Sequence, residues 1–368
     1  MSRNLVLIFS FIFLSCCNKK KSVEDPPIIL PSIEIRTVKE GLNHVWEIEW
    51  GADNHIWLTE RTGRVSKMNP TDGNIVFTTQ INEVVSIGEG GLLGMALHPD
   101  FLTNGFVYLV YNYNGSSGYR EKIVRYTFSN NSFTNAFTLI ENIPAANIHN
   151  GSRIRLIDDG SGLKLFISTG DAANASSSQD INSRNGKVLR LHPEGSIPAD
   201  NPFAGNPVWS YGHRNPQGLF FANNKLYASE HGPAIEDEVN IVIKGRNYGW
   251  PNVNGPCDGN EMSFCNSNNV VEPIWSSGNS TIAVCGISYY NNDRISIWKN
   301  SILMTTLKDQ SLRQLKLSAD GNSVTAVSTF FKNEYGRIRA VSVSPDGRVF
   351  IGTSNGNNND KIIEISKL

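Results

Sequence analysis

The residues best equipped for chemistry are a histidine, an aspartate and a set of cations that stand at matching places in a repeating pattern. His149 lies in the polar loop NIHNGSR, where no apolar face needs filling, and Asp171 follows the strand-like segment LKLFIST. The two are equally far from a turn near Gly160, so an antiparallel hairpin sets them opposite each other. A carboxylate beside an imidazole holds the ring and raises its basicity, as a general base requires. Such a pair also occurs as a purely structural contact. The cations favour a site. Arg214 and Gly232 are equidistant from a second turn near Asn223, Lys308 ends another returning segment, Arg337 and Arg339 precede an outgoing one, and Glu89 precedes a further one. Four cations gathered on one face of a chain with 33 basic and 34 acidic residues ask for an anion. The near-neutral balance offers no broad field for nucleic acid or anionic lipid, which leaves a small ligand.

The elements that position these residues repeat. An alternating strand, a polar turn and a strongly apolar strand appear as VWEIEWGADNHIWLTE from Val45, GMALHPDFLTNGFVYLVYN from Gly94, RIRLIDDGSGLKLFISTGD from Arg153, GLFFANNKLYASEHG from Gly218, ISYYNNDRISIWKNSILMTTLK from Ile287 and AVSVSPDGRVFIGTSN from Ala340. A weaker strand pair follows, for example from Arg64, Lys122 and Leu312. No long 3.6-residue apolar period interrupts them. The pattern predicts an all-β chain, a six-bladed β-propeller with four-stranded antiparallel blades over residues 33–368. IEIRTVKEG from Ile33 is placed to complete the last blade with DKIIEISKL from Asp360. A two-sheet sandwich is the alternative, which six similar units fit poorly. All the polar residues named above then share one mouth, opposite the PDG-like turns.

The first residues carry a cation and lead into the apolar run Leu5 to Leu14, a length suited to a signal peptide rather than a bilayer span. Leu14-Ser15-Cys16 resembles a lipobox, so residues 1–16 read as a signal peptide with Cys16 as a lipidated mature N-terminus, ordinary cleavage nearby being the alternative. Residues 17–32 read as a proline-rich linker. The expected location is outside the cytoplasm, periplasmic or membrane-anchored. Of the five cysteines, Cys257 and Cys265 flank CDGNEMSFC and are placed to close a local disulfide. Cys285 reads as a buried, reduced, small hydrophobe.

Several motifs together carry a resemblance: GEGGLLGMALHPDF from Gly88, the loop around His149, STGD from Ser168, GKVLRL from Gly186, YGHRNPQGL from Tyr211, SEHGP from Ser229, DEVN from Asp237, NYGWP from Asn247 and RIRAVSVSPDGR from Arg337. From about Thr37 to the C-terminus the chain resembles the soluble glucose and aldose sugar dehydrogenases that depend on pyrroloquinoline quinone (PQQ). The resemblance implies an aldose substrate, oxidised at C1 to the lactone, with His149 taking the proton of the anomeric hydroxyl as hydride passes to PQQ. It implies that Asp171 orients His149 and that Arg214 polarises the quinone while Asn215 contacts it. Lys308, Arg337 and Arg339 would bind the cofactor carboxylates, and the carbonyls of Gly232 and Pro233 a calcium ion, consistent with a hard cation taking oxygen ligands. A second calcium would use Glu238 and the backbone at Tyr248. The electrons would pass on to a further acceptor.

Two departures stand out. Glu89, expected with His149 on the substrate side, occupies a position that is often Gln, and SSGNSTIAVCGISYY from Ser276 replaces the usual substrate-side pattern. The Cys257 to Cys265 loop is expected to overhang the same mouth, and Gln179 to join the Asp171 network. A non-enzymatic exported propeller of the hedgehog-interacting-protein type is the alternative function, since fold alone does not fix activity. A calcium-dependent lactonase fits less well, because it needs an acidic metal centre.

Overall fold

The computed structural model describes residues 33–367; the signal-peptide segment, Cys16 and the 17–32 linker lie outside the described residues. Six four-stranded antiparallel sheets form the fold, and in five of them the strand nearest the axis comes first in sequence, the sixth taking its outermost strand from the start of the propeller chain. The six inner hairpins are Val45–Trp50 with Ile56–Glu60, Leu92–Leu97 with Phe106–Gly115, Gly151–Asp158 with Leu163–Thr169, Pro216–Ala222 with Lys225–Glu230, Val284–Tyr290 with Ser301–Thr306, and Ile338–Val343 with Val349–Thr353. They coincide with the six units in the sequence, and the inner strands of neighbouring blades pack on one another in a closed ring. The sandwich alternative is thereby excluded. Ile33–Leu42 pairs with Asp360–Lys367 as the outermost strand of the sixth blade, so the two ends of the propeller chain lock into one sheet and no blade is left open.

Local chemistry explains the turns at the end away from the mouth. Asn223 and Asn224 take φ of 52° and 57° between the paired Ala222 and Lys225, a two-residue turn whose left-handed twist asparagine tolerates. Apolar side chains from adjacent blades fill the spaces between sheets. Val45, Ile56 and Leu58 of the first blade meet Ala340, Phe350 and Ile362 of the sixth, and Trp57 joins Phe77, Phe101 and Phe128 between the first and second. Each fully buried aliphatic side chain of this kind contributes about 1.5–3 kcal/mol.

One irregularity recurs in every blade. At its mouth end, each inner hairpin holds one extra residue on the inner strand, around Trp46, Leu93–Gly94, Ser152–Arg153, Gln217, Cys285–Gly286 and Arg339. A bulge breaks the ladder and re-aims its side chain. The freed carbonyls find partners in the preceding blade: Thr59 Oγ1 donates to Leu93 O at 2.7 Å, Ser168 Oγ to Pro216 O at 2.8 Å, Thr305 Oγ1 to Arg339 O at 2.8 Å, and Ser229 Oγ to Cys285 O. These buried hydroxyls latch blade to blade where the polar backbone would otherwise go unpaired.

Candidate active site

The third hairpin delivers the histidine and aspartate together, as their spacing predicts. His149 Nδ1 lies 2.9 Å from Asp171 Oδ1. Two features allow the approach. His149 adopts φ +58°, a left-handed conformation that costs a non-glycine residue roughly 1–3 kcal/mol and marks functional loops. Gly170, next to Asp171, leaves the space the loop needs, since a Cβ there would sit 1.9 Å from the His149 carbonyl. Asp171 is 2% exposed. Its Oδ1 also accepts from Ala173 N at 2.9 Å, its Oδ2 from Trp250 Nε1 at 2.9 Å, and its own N–H donates to Arg214 O at 2.8 Å.

Arg214 closes the constellation from the fourth blade. Its Nη2 lies 3.1 Å from His149 Nε2 and its Nη1 donates to His231 O at 3.2 Å. A guanidinium only donates, so Nε2 must be the accepting nitrogen and Nδ1 carries the proton given to Asp171. That is the tautomer a base needs. Glu89 reaches the same loop, its Oε2 accepting from His149 N at 3.3 Å. Burial lowers the Arg214 pKa, opposed chiefly by the Asp171 carboxylate.

The remaining predicted cations divide. Lys308 and Arg337 are exposed at the mouth, whereas Arg339 is 4% exposed and sits beneath it. Although Arg337 reaches solvent, partial desolvation of its guanidinium at the mouth, then the Arg339 charge, pushes it below its ordinary range. Arg339 Nη1 donates to Gln217 Oε1 at 2.7 Å and approaches Cys285 Sγ at 3.3 Å. Cys285 is free and buried as expected, but the description of it as a plain hydrophobe needs correction: its thiol donates to Gln217 Oε1 at 2.8 Å. Bulges aim all three side chains inward, where a strict alternation would have put Cys285 in an apolar face. Sequence reasoning missed Arg61, which follows the first hairpin as Asp171 follows the third; it stands close enough to Arg339, Arg337 and Glu89 for their charges to be felt, and burial lowers its pKa. His44 and His231 also stand at this end, each with its pKa pushed down first by burial.

Four buried donor groups in this region have no partner among the described residues: Asn215 Nδ2, Arg214 Nε, Arg61 Nε and His231 Nε2. Orphaned polar atoms of this kind call for a ligand or water, and three of them belong to charged or amide groups suited to quinone oxygens and carboxylates. Gly232 and Pro233 follow His231 in a loop held by the fully buried Asp237, which accepts from Gly232 N at 2.9 Å, Ile282 N at 2.6 Å and Ala283 N at 2.7 Å. Segment 276–290 thus braces the Gly232 loop through Asp237, a role its divergent sequence did not disclose. Among the described residues no hydrogen bond reaches the Gly232 or Pro233 carbonyl, which leaves both free to face a cation. Glu230, Glu236 and Glu238 border a cavity of about 20 Å³ beside them, room for one water or ion. Burial, then the Glu230 charge, pushes the Glu238 carboxyl up to about 8, and its oxygens accept from Gly255 N and Asn240 Nδ2 at 2.8 Å each. The Tyr248 hydroxyl is committed to Ile241 O and Ile243 N, so only its backbone is available to a metal.

The Cys257–Cys265 disulfide forms, and its loop is tied to the small cavity through Glu261, which accepts from the N–H of the cavity-lining Asn254 at 3.3 Å. Gln179 joins the Asp171 network indirectly, donating to Trp250 O at 2.6 Å and exchanging amide bonds with Asn247 at 3.0 and 2.9 Å. A larger cleft of about 830 Å³ lies at the turn end between the third and fourth blades, lined by Asp158, Trp209, Phe221 and Lys225, and none of the residues of the mouth borders it. Size alone would point to that cleft, whereas the unpartnered donors and the His149 constellation point to the mouth.

A propeller whose mouth gathers a histidine, its carboxylate partner and several cations offers the parts of a small-molecule site. The glucose/sorbosone dehydrogenase family model matches residues 42–364, and the chain belongs to that family, a class of sugar-oxidising oxidoreductases. It is 30% identical to the aldose sugar dehydrogenase YliI of Escherichia coli, over 88% of this chain and 90% of that protein. It is 31% identical to quinoprotein glucose dehydrogenase B of Acinetobacter calcoaceticus, over 85% of this chain and 84% of that protein. The solved PQQ-bound form of the aldose sugar dehydrogenase of Streptomyces coelicolor superposes with a TM-score of 0.78 at 30% identity, covering 91% of this chain and 98% of that one.

Proposed function

We propose that the protein oxidises an aldose at C1 to the corresponding lactone, using PQQ and calcium at the mouth. The observation that carries this reading is the His149–Asp171–Arg214 constellation, in which His149 Nε2 is the accepting nitrogen and Arg214, whose Nε is itself unpartnered, stands against it. PQQ, when bound, supplies the hydride acceptor. Arg214 and Asn215 would hold its quinone side, Lys308 and Arg337 its carboxylates from the rim, and Arg339 would support them from beneath. The Gly232 and Pro233 carbonyls fit a calcium ion that would polarise the quinone, and Glu238 with the Tyr248 backbone a second one.

The chain's own part in the reaction is proton management and positioning. His149 Nε2 takes the proton of the anomeric hydroxyl, Asp171 stabilises the imidazolium that forms, and Glu89 holds the loop through His149 N. The names of the relatives, aldose sugar dehydrogenase and quinoprotein glucose dehydrogenase, support both the substrate class and the cofactor. A non-enzymatic binding module would have no need of an oriented base facing orphaned cations. The test is to add PQQ and calcium to the purified apoprotein and follow reduction of an artificial dye over a panel of aldoses. Turnover that requires both PQQ and at least one aldose is expected; no turnover with any aldose, despite PQQ binding, would return the protein to the binding-module reading.

Export completes the proposal. The apolar run ending in Leu14-Ser15-Cys16 supports lipidation at Cys16, which would tether the dehydrogenase to a membrane outside the cytoplasm. Mass spectrometry of the native N-terminus is expected to find an acylated Cys16. A free N-terminus elsewhere, without acyl mass, would rule out the anchor while leaving export intact.

A further inference from the structure

Trp250 belongs to the segment Asn247 to Trp250, outside all six hairpins, yet it touches both halves of the reactive centre. Its indole Nε1 donates to Asp171 Oδ2 at 2.9 Å, on the carboxylate oxygen that His149 does not use. The Arg214 guanidinium carbon lies 5.2 Å from the centroid of its ring, within the distance at which a cation is attracted to an aromatic face. The backbone fixes this placement from two sides. Trp250 N donates to Gly212 O at 3.0 Å, its carbonyl accepts from Gln179 Nε2 at 2.6 Å, and Gln179 is itself clamped by the amide of Asn247. The segment is anchored beside Arg214 by a parallel bridge between Tyr211 and Asn247.

We propose that Trp250 is a positioning residue that couples the base to the quinone-facing arginine: one indole sets the charge and orientation of Asp171 through its N–H, and supports Arg214 through its ring. This rests on the reading of His149 as base and Arg214 as cofactor ligand, but the two functions of the indole are separable chemically. A carboxylate that loses a donor becomes more basic and holds the His149 N–H more strongly, so the histidine becomes easier to protonate. An aromatic ring without the N–H keeps the contact with Arg214. The charged groups that face His149 are Asp171 from its own blade, Arg214 from the fourth and Glu89 from the approach to the second, and of these only Asp171 hydrogen-bonds to Trp250.

The test uses the full folded chain without cofactor, so that it does not depend on dehydrogenase activity. Trp250→Phe is expected to raise the His149 titration midpoint, read from its imidazole NMR signals, by about one pH unit, the size of a charge-assisted hydrogen bond acting through the carboxylate. PQQ affinity should change by less than about 3-fold, because the ring is retained. Trp250→Leu removes both functions and should also weaken PQQ binding, by about 10-fold. In the wild type, the indole N–H signal of Trp250 should move with the same midpoint as the His149 ring, a readout that stands even if neither variant folds. A residue that only filled space would leave these titrations untouched. An unchanged His149 midpoint in folded Trp250→Phe, or an indole signal indifferent to the His149 titration, overturns the proposal without bearing on whether the protein oxidises sugars.

Discussion

His149→Gln is expected to lower turnover by about 10²- to 10⁴-fold, the usual contribution of a positioned general base. The loss should fall on the reductive half-reaction with sugar, because the variant keeps a side chain able to donate to Asp171 but offers no nitrogen that accepts a proton at neutral pH. Folding should survive. The loop that carries His149 is polar, the side chain is 16% exposed, and the hydrogen bonds that anchor the loop are mostly made by backbone atoms, including His149 N to Glu89 and Ala172 N to His149 O. PQQ binding should survive as well, since the groups proposed to hold it lie on other blades. The acidic limb of the rate profile, which reports protonation of the imidazole in the wild type, should flatten in the variant. Rate against pH for both proteins, with PQQ saturation checked by absorbance, measures all three expectations.

The second large effect concerns the cofactor rather than the sugar. Arg337→Ala should weaken PQQ affinity by about 10- to 100-fold, the loss of one charge-assisted hydrogen bond of about 1.5–3 kcal/mol, with little change in the apparent affinity for sugar once the cofactor is saturating. Arg337 is the variant of choice because it stands by Arg339 at the mouth, where desolvation first and then the repulsion between the two guanidiniums lower its pKa. A polyanion relieves that repulsion. Arg339 is a poorer probe: it is buried and bonded to Gln217 beneath the mouth, and removing it would take a donor from that amide and leave a void there. Fluorescence titration of the apoprotein with PQQ measures the difference.

The fold was legible because each blade repeats a short hairpin with strong turn chemistry, and repetition makes a weak signal strong. The symmetry of those hairpins also gave the His149–Asp171 contact without any alignment, since distance from the Gly160 turn sets which residues meet. What lay outside hairpin symmetry was harder. Trp250 reaches Asp171 through contacts of its segment with Tyr211, Gly212 and Gln179, long-range contacts with no local signature. Arg61 does carry a signal, the position just after a returning strand that Asp171 and Lys308 share. Cys285 was read from the apolar strand AVCGISYY, where a thiol looks like filling. The bulge at Cys285–Gly286 shifts it onto Gln217 and Arg339 instead. Bulges are invisible to an alternating pattern because a single extra residue moves every later side chain to the other face. The brace from segment 276–290 to Asp237 was missed for a different reason: its donors are mostly backbone N–H groups, which every sequence has.

The most direct test is anaerobic mixing of the PQQ- and calcium-loaded protein with an aldose found active in the panel, following the absorbance of the bound cofactor through a single turnover. The sugar is expected to reduce the bound cofactor rapidly, deuterium at C1 of the sugar to slow that reduction, and His149→Gln to slow it by at least about 100-fold while leaving the amount of bound cofactor unchanged. Reduction at the wild-type rate in His149→Gln, or a wild-type rate indifferent to deuterium at C1 and no faster than that of free PQQ, would contradict these expectations.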